Sequence, residues 1–331
     1  MMGIGDQYSR MVPQGDFIPV NPYVLRVDAV KPFDIYVRNE IGKKYYTLFS
    51  KGGTRFTSRM RQKLLLNRVS MVYVSEENRE QYIWYIEENL PHIVTNTLVP
   101  VEHKAAAVYE AGRAVMQRIF KAPRRGNIVR SAKLFSVLTA LVLGDRKVID
   151  HLLQITEFDY SMHTHSFNVG LISLAFARQL GLGLTADEFN ELAFGFFMHD
   201  IGKSVIPRDV ITKPGPLTRE EWVLMKTHPE KGYGILKEAD CVTQPAEVIV
   251  LQHHERSGGA GYPRGLHGEG IHLYAKICSV ADTFDAMTTQ RCYQEPCSAY
   301  ESMEQIKYEL LQEGFDGEFF ATFVRMFAHK P

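Results

Sequence analysis

The segment FMHDIGKSVIP, Phe197 to Pro207, offers two kinds of chemistry. Its Gly-Lys-Ser could close a phosphate-cradling loop, or its adjacent His199 and Asp200 could hold a metal ion. A P-loop needs a glycine five positions before the Gly-Lys-Ser and a strand leading into it, because backbone N–H groups must curl around the phosphates. Phe197 occupies that position. The residues upstream, LTADEFNELAFGFFMHD, open with Thr185 and Glu188 as a capping box and then run apolar at helical spacing. The nucleotide loop fails on both counts. What remains is His199 and Asp200 near the end of an apolar helix, with Lys203 one turn beyond His199 and on its face.

Further imidazoles and carboxylates recur at the inward edges of helical segments. His165 shares a stripe with Val169, Ile172 and Phe176. His228 precedes Pro229 at a helix break, His253 and His254 end the segment that carries Ile249 and Val250, and Asp282 lies among Ala275, Cys278 and Ala286. One inward histidine is ordinarily a hydrogen-bonded core residue. Here five of the twelve histidines, with two aspartates, fall at such positions. Burying them without partners would be costly for each, whereas divalent ions satisfy all of them together. Nitrogen and oxygen donors without thiolates indicate iron or manganese, since a closed structural zinc site draws on cysteine. Asp200, with two carboxylate oxygens, is the candidate bridge. A metal-activated hydroxide at such a multinuclear His/Asp site suits phosphodiester hydrolysis, with Lys203 neutralising charge in the transition state.

Helices must position these groups. From about Leu98 strand signals nearly vanish, and amphipathic segments follow: AAAVYEAGRAVMQRIF, KLFSVLTALVLG, RKVIDHLLQI and THSFNVGLISLAFARQLGL. Thr218 and Glu221 box the start of TREEWVLMK, and Pro245 opens PAEVIVLQHHE. Before this region, Phe33, Ile35 and Val37 alternate with polar neighbours, with turns expected at Ile41-Gly42 and Gly52-Gly53. Met60, Leu64 and Leu65 suit a helix, MVYVS a strand, and Ser75 a cap for another helix. The fold class is therefore mainly α: residues 1–95 form a small α/β domain, 96–150 a helical connector, and 151–331 an all-helical domain.

Composition narrows the partners. The 331 residues are 45% hydrophobic and balance to a formal charge of +0, which leaves no overall basic field for duplex nucleic acid. PRRGNIVR, Pro123 to Arg130, reads as a solvated linker. The N-terminus has no apolar leader, and no run is read as a membrane span. Cys241, Cys278, Cys292 and Cys297 form no CxxC pair and read as free thiols in a reducing, cytoplasmic setting.

Four segments, HDIGKSVIP, KPGPLTREEWVLMKTHPEKGYGIL, HHERSGGAGYPRGLHGEGI and VADTFDAMTTQRCY, with the HTHSFNV helix before them, resemble the HD-GYP cyclic dinucleotide phosphodiesterases, a branch of the HD superfamily, over residues 155–295. The resemblance implies that His165, His199, Asp200, His228, His253, His254 and Asp282 are metal ligands. It implies that Lys203 contacts phosphate, that Arg291 contacts substrate, and that Gly261 and Tyr262 lie with Pro263 in the signature loop. The implied substrate is cyclic di-GMP or a related cyclic dinucleotide, opened to the linear dinucleotide and onward to GMP. Bacterial second-messenger signalling and diguanylate cyclase (GGDEF) partners follow by the same resemblance, whereas a regulatory or dimerising role for residues 1–95, and with it a homodimer, rests on domain order alone.

Two positions depart from the family pattern. Gly258 stands where the family carries aspartate, which makes RSGGAGYP glycine-rich and suggests a mobile loop. Ser161 stands one turn before His165, where trinuclear relatives carry glutamate, so two metals are expected and not three. The Gly258 departure keeps open a second reading, a catalytically weak dinucleotide receptor or protein-interaction module. A deoxynucleotide triphosphohydrolase of the wider HD group would explain neither the His253-His254 pair nor the GYP loop.

Overall fold

The computed structural model describes residues 11–12, 16–39, 45–144, 146–155, 161–289, 297–312 and 317–327. The chain divides into two units, Met1–Ala111 and Gly112–Pro331.

In the first unit, the alternating stretch forms β3 (Ile35–Asn39), paired antiparallel with β4 (Tyr45–Ser50) and bulged between Ile35 and Tyr36. The turn expected at Ile41-Gly42 lies outside the described residues. The expected strand in MVYVS is β5 (Val72–Ser75), and two strands not foreseen, β1 (Met11–Val12) and β2 (Phe17–Val20), complete a sheet of order β1-β4-β3-β5-β2. Pro19 hid β2, yet it sits on an edge strand, where a missing N–H removes no necessary ladder bond. Val72 and Val74 are buried, and Phe33 meets Tyr82 and Tyr85 edge-on at 5.6 and 5.4 Å. These tyrosines belong to α2 (Arg79–Thr95), while α1 (Ser58–Leu66) is capped by Thr57. Ser75 opens a short 3-10 turn, Glu76–Asn78, without a side-chain cap bond, so α2 starts three residues later than expected.

A buried lysine ties this unit together. Lys31 is fully enclosed, and its Nζ donates to the carbonyls of Phe33 (3.1 Å), Ser50 (3.2 Å) and Lys51 (2.5 Å). Burial lowers its pKa to about 8, partly offset by Asp34. The ammonium thus clips the start of β3 to the end of β4 and to the turn at Gly53, whose N–H bonds the Lys31 carbonyl and whose φ of +74° favours glycine.

The boundary between the units falls within α3 (Val101–Lys121). Helices α4 (Arg125–Gly144) and α5 (Arg146–Gln154) follow. PRRGNIVR is therefore mostly the first turns of a helix rather than a linker, because Ile128 is buried. By length and composition alone α4 is also apolar enough to cross a bilayer, with mean hydropathy 1.3, contrary to the reading of the sequence. Its Leu134, Phe135, Leu138 and Val142 are buried within this unit.

The inner layer consists of α6 (Met162–Leu180) and α7 (Ala186–Met198), with α8 (Arg208–Ile211), α9 (Arg219–Met225), α10 (His228–Glu238), α11 (Gln244–Gln252) and α12 (Leu273–Thr288) following. Two more helices, α13 (Ala299–Gln312) and α14 (Gly317–Phe327), close the chain. Both expected capping boxes are present, Thr185 with Glu188 and Thr218 with Glu221. Phe197 of α7 stacks between Phe135 (4.3 Å) and Phe167 (5.4 Å), a sandwich in which each buried ring contributes about 1.5–3 kcal/mol. This packing fixes the end of α7, where His199 and Asp200 emerge.

Candidate metal centre and its surroundings

Each functional side chain stands at a helix end or on an inward helix face. His165 lies in the first turn of α6, whose N-cap is Ser161, with the Ser161 hydroxyl accepting from the Thr164 amide. His199 is the C-cap of α7, and Asp200 leads into a 3-10 turn, Ile201–Val205. Lys203 therefore stands three residues from Asp200 on that turn and not on a continuation of the α7 face, and its Nζ lies 2.5 Å from Asp200 Oδ2. The tight turn is possible because residue 202 is glycine: a Cβ there would stand 1.9 Å from the His228 carbonyl oxygen. His228 opens α10, His253 caps the C-terminus of α11 and is followed by His254, and Asp282 lies on α12.

These seven side chains converge. His228, His253, His254 and Asp200 form one group whose donor atoms all lie within 4.8 Å of one another, and His165, His199 and Asp282 form a second. Asp200 faces both: Oδ1 is 3.2 Å from His228 Nε2 and 3.6 Å from His253 Nε2, while Oδ2 is 3.4 Å from His199 Nε2 and 3.6 Å from His165 Nε2. Asp282 lies between His165 Nε2 (3.0 Å) and His254 Nδ1 (3.7 Å).

The rings are oriented from behind. The Nδ1 of His199 faces the Phe196 carbonyl at 2.9 Å, that of His228 the Met225 carbonyl at 2.8 Å, and that of His253 the Ile249 and Val250 carbonyls at 3.0 and 3.1 Å. A carbonyl only accepts, so each of these Nδ1 atoms carries the hydrogen and each Nε2 presents a lone pair inward. His165 is held instead by Asp285 Oδ2, 2.7 Å from its Nδ1, and Asn168 Nδ2 donates to the other Asp285 oxygen at 3.0 Å.

That arrangement fits cations. The lone pairs of His228 and His253 Nε2 stand 3.3 Å apart, which places acceptor against acceptor. His199 Nε2 and Asp200 Oδ1 are buried without a hydrogen-bond partner. Two or more divalent ions among these donors would satisfy every such atom. Burial lowers the pKa of His253 to about 4 and that of His254 well below its usual value, which favours neutral rings at neutral pH, the form that can bind a metal. Burial alone would raise Asp200, but the Lys203 charge and the imidazoles of His199 and His228 hold it well below the usual carboxylate range. Burial likewise opposes a charged His165, yet Asp282 and Asp285 outweigh it and raise that ring to about 10. A metal at His165 would compete with the proton that these carboxylates favour.

The HD domain family matches residues 148–319, the stretch that contains all seven side chains. The chain belongs to the HD domain family, in its HD-GYP branch. It is 31% identical over 224 residues to a cyclic di-GMP phosphodiesterase of Pseudomonas aeruginosa, covering 67% of this chain and 53% of that protein. It is 38% identical over 164 residues to a cyclic di-GMP phosphodiesterase of Thermotoga maritima, covering 49% of this chain and 44% of that one. The chain thus spans about half the length of the curated relatives it matches. An "HDG"Y"P protein" of Bdellovibrio bacteriovorus shares the fold, at a TM-score of 0.62 and 18% identity over 94% of this chain and 99% of that chain.

The GYP loop of this HD-GYP chain, glycine-rich in sequence, is tied down by several hydrogen bonds. Glu255, 2% exposed, accepts the amides of Arg264 (2.7 Å) and Leu266 (2.9 Å). Gly258 bridges to His267, and Arg256 Nη1 donates to Ser279 of α12 at 2.8 Å. Gly261 serves close approach: a Cβ there would stand 2.4–2.6 Å from the backbone of Glu255 and Arg256. The loop lays Tyr262 over His254, ring centroids 4.7 Å apart, and the Tyr262-Pro263 peptide is cis. Gly261 and Tyr262 accordingly lie beside the cluster; Arg291 lies outside the described residues.

Sequence reasoning missed Asn168, Asp285 and Glu255. A signal was available for the first two, since Asn168 stands three residues after His165 and Asp285 three after Asp282, each pair sharing a helix face.

Proposed function

We propose that the chain is a metal-dependent phosphodiesterase that opens cyclic di-GMP, or a related cyclic dinucleotide, to the linear dinucleotide and carries it on to GMP. The observation behind this reading is Asp200, whose two oxygens face separate sets of inward imidazole nitrogens. The activities of the Pseudomonas and Thermotoga relatives support the same chemistry. In this proposal His228, His253 and His254 hold one ion, His165, His199 and Asp282 the other, and Asp200 bridges them. The all-nitrogen and oxygen donor set favours iron or manganese. Held there, the ions would polarise a phosphoryl oxygen and activate water.

The remaining groups bind and screen. Lys203 brings a cation with 14% side-chain exposure to Asp200, in a cluster where His254 (17%) is also open, and is suited to the equatorial oxygens of a phosphoryl group. Tyr262 covers His254 and limits water on that side, and Gly261 lets the loop approach without a side chain in the way. Arg291 takes the substrate contact that its place in the motif implies. In the same proposal residues 151–331 form the phosphodiesterase domain and residues 96–150 a connector. Residues 1–95 are regulatory or dimerising, in a cytoplasmic homodimer that responds to diguanylate cyclase partners.

Metal analysis and product chromatography on one anaerobically purified sample test this. Two ions per chain and conversion of cyclic di-GMP to the linear form are expected, with both lost in Asp200→Ala. Undiminished hydrolysis by a folded Asp200→Ala protein would overturn the site.

A further inference from the structure

Beside the cluster stands an aromatic and cationic wall that the proposed chemistry does not use. Helix α9 is pinned at its start by the Thr218–Glu221 box and by Lys213, whose Nζ lies 2.5 Å from Glu221 Oε2. Trp222 and Lys226 then share one face at i and i+4, just before His228. Trp222 is 45% exposed, although a tryptophan on a short helix against a packed core would ordinarily turn inward. Its ring meets Tyr262 edge-on at 6.2 Å, and Tyr262 in turn stacks on His254 at 4.7 Å, so two ring-to-ring steps lead from the exposed indole to the donor cluster. The Lys226 ammonium stands 5.7 Å from the ring centroids of both Trp222 and Tyr262. Among the described residues it pairs with no carboxylate.

We propose that Trp222 and Lys226 form a base-binding subsite of this chain, in which the indole face stacks a purine of the cyclic dinucleotide and the Lys226 ammonium meets its carbonyl or phosphate oxygens. The inference rests on the phosphodiesterase reading for the substrate but not for the binding itself. An indole offers the largest stacking surface of any side chain, every base has a π-face, and a neighbouring cation strengthens binding to the electron-rich oxygens of a guanine or a phosphate. The wall stands on the Tyr262 side of the cluster, whereas Lys203 contacts Asp200 directly. Phosphate and base are thereby served by different parts of the same helix-end assembly, the usual division between a reacting centre and the contacts that orient a substrate in it.

The chain has two tryptophans, and the other, Trp84, is 51% exposed in the first unit. Trp84→Phe therefore leaves Trp222 as the sole indole reporter in the full chain. Metal-free Trp84→Phe protein is titrated with cyclic di-GMP and, separately, with inorganic phosphate. Saturable quenching by the dinucleotide and none by phosphate is expected. In metal-loaded full chain, Trp222→Ala should raise KM for cyclic di-GMP about tenfold, the low end of a base-stacking contribution, with the loss in KM rather than kcat and with Trp222→Phe recovering most of it. Lys226→Met should raise KM less and flatten its dependence on salt. Absence of quenching with ordinary turnover, or quenching by phosphate alone, overturns the subsite and leaves the phosphodiesterase reading intact. Quenching without any turnover supports the subsite and overturns the enzyme. Neither binding nor turnover overturns both. The fluorescence arm keeps Trp222 in place, so a poorly folded Trp222→Ala protein does not rescue the proposal.

Discussion

Asp285 is the residue whose replacement tests most directly whether the cluster is built for metal. It is 3% exposed, its Oδ2 is 2.7 Å from His165 Nδ1, and its Oδ1 accepts from Asn168 Nδ2 at 3.0 Å. Asp285→Asn keeps the size and removes an acceptor. If the new amide turns its oxygen to His165, its NH2 meets the Asn168 NH2, donor against donor. If it turns its NH2 to His165, the ring must accept at Nδ1, and its proton moves to Nε2, the atom offered to the ion. Either outcome leaves one buried polar contact unmade or closes a ligand, a cost of about 1–3 kcal/mol. That corresponds to a roughly 10–100-fold loss of metal affinity, the usual range for an outer partner of a ligating histidine. The assay is manganese titration of metal-free protein by calorimetry, with thermal unfolding of the same metal-free samples as control. Affinity within twofold of wild type would refute the orienting role. A lowered Tm with unchanged affinity would show that Asp285 serves packing alone.

Lys203→Ala should retain both ions and lose about tenfold or more in kcat, since the lysine bonds Asp200 from outside the donor set; metal content and turnover measured on one sample decide it. Gly202→Ala should cost several kcal/mol or prevent folding of the second unit, because its Cβ would stand 1.9 Å from the His228 carbonyl oxygen. By contrast, a Cβ on Gly258 meets nothing within 4 Å, so Gly258→Asp should leave Tm unchanged while restoring the family residue; turnover then reads whether the departure weakens catalysis. Lys31→Met should destabilise the first unit by about 3 kcal/mol, having stripped three carbonyls of a donor. Its pH dependence is specific: the folded pKa of about 8 lies below the free value of 10.5, so between them the unfolded chain binds more protons and wild-type stability rises with pH. The stability gap between wild type and Lys31→Met, read by urea unfolding, should widen over that window, and a constant gap would count against a depressed Lys31.

The sequence alone determined the helical character of the second unit, its capping boxes and the seven ligand candidates, because residue type and 3.6-residue spacing are local properties. Those same local rules decided that GKS could not be a nucleotide loop, since one wrong residue at Phe197 suffices. Tertiary structure decided the rest. His165 and Asp285 are 120 residues apart in the chain: spacing puts Asp285 on the Asp282 face of its helix, but only the packing of α6 against α12 decides that the two meet. The 3-10 turn that puts Lys203 on Asp200 depends on how closely residue 202 passes the start of α10, a contact between separate helices. The glycines of the GYP loop looked like freedom in the sequence. In the fold Gly261 is the residue that lets the backbone pass Glu255 and lay Tyr262 on His254, because backbone clearance is set by what lies opposite and not by the chain itself. Helix α4 makes the same point from the other direction: its apolar composition would suit a bilayer, and the burial of Phe135 against Phe197 shows what its apolar face meets in the fold.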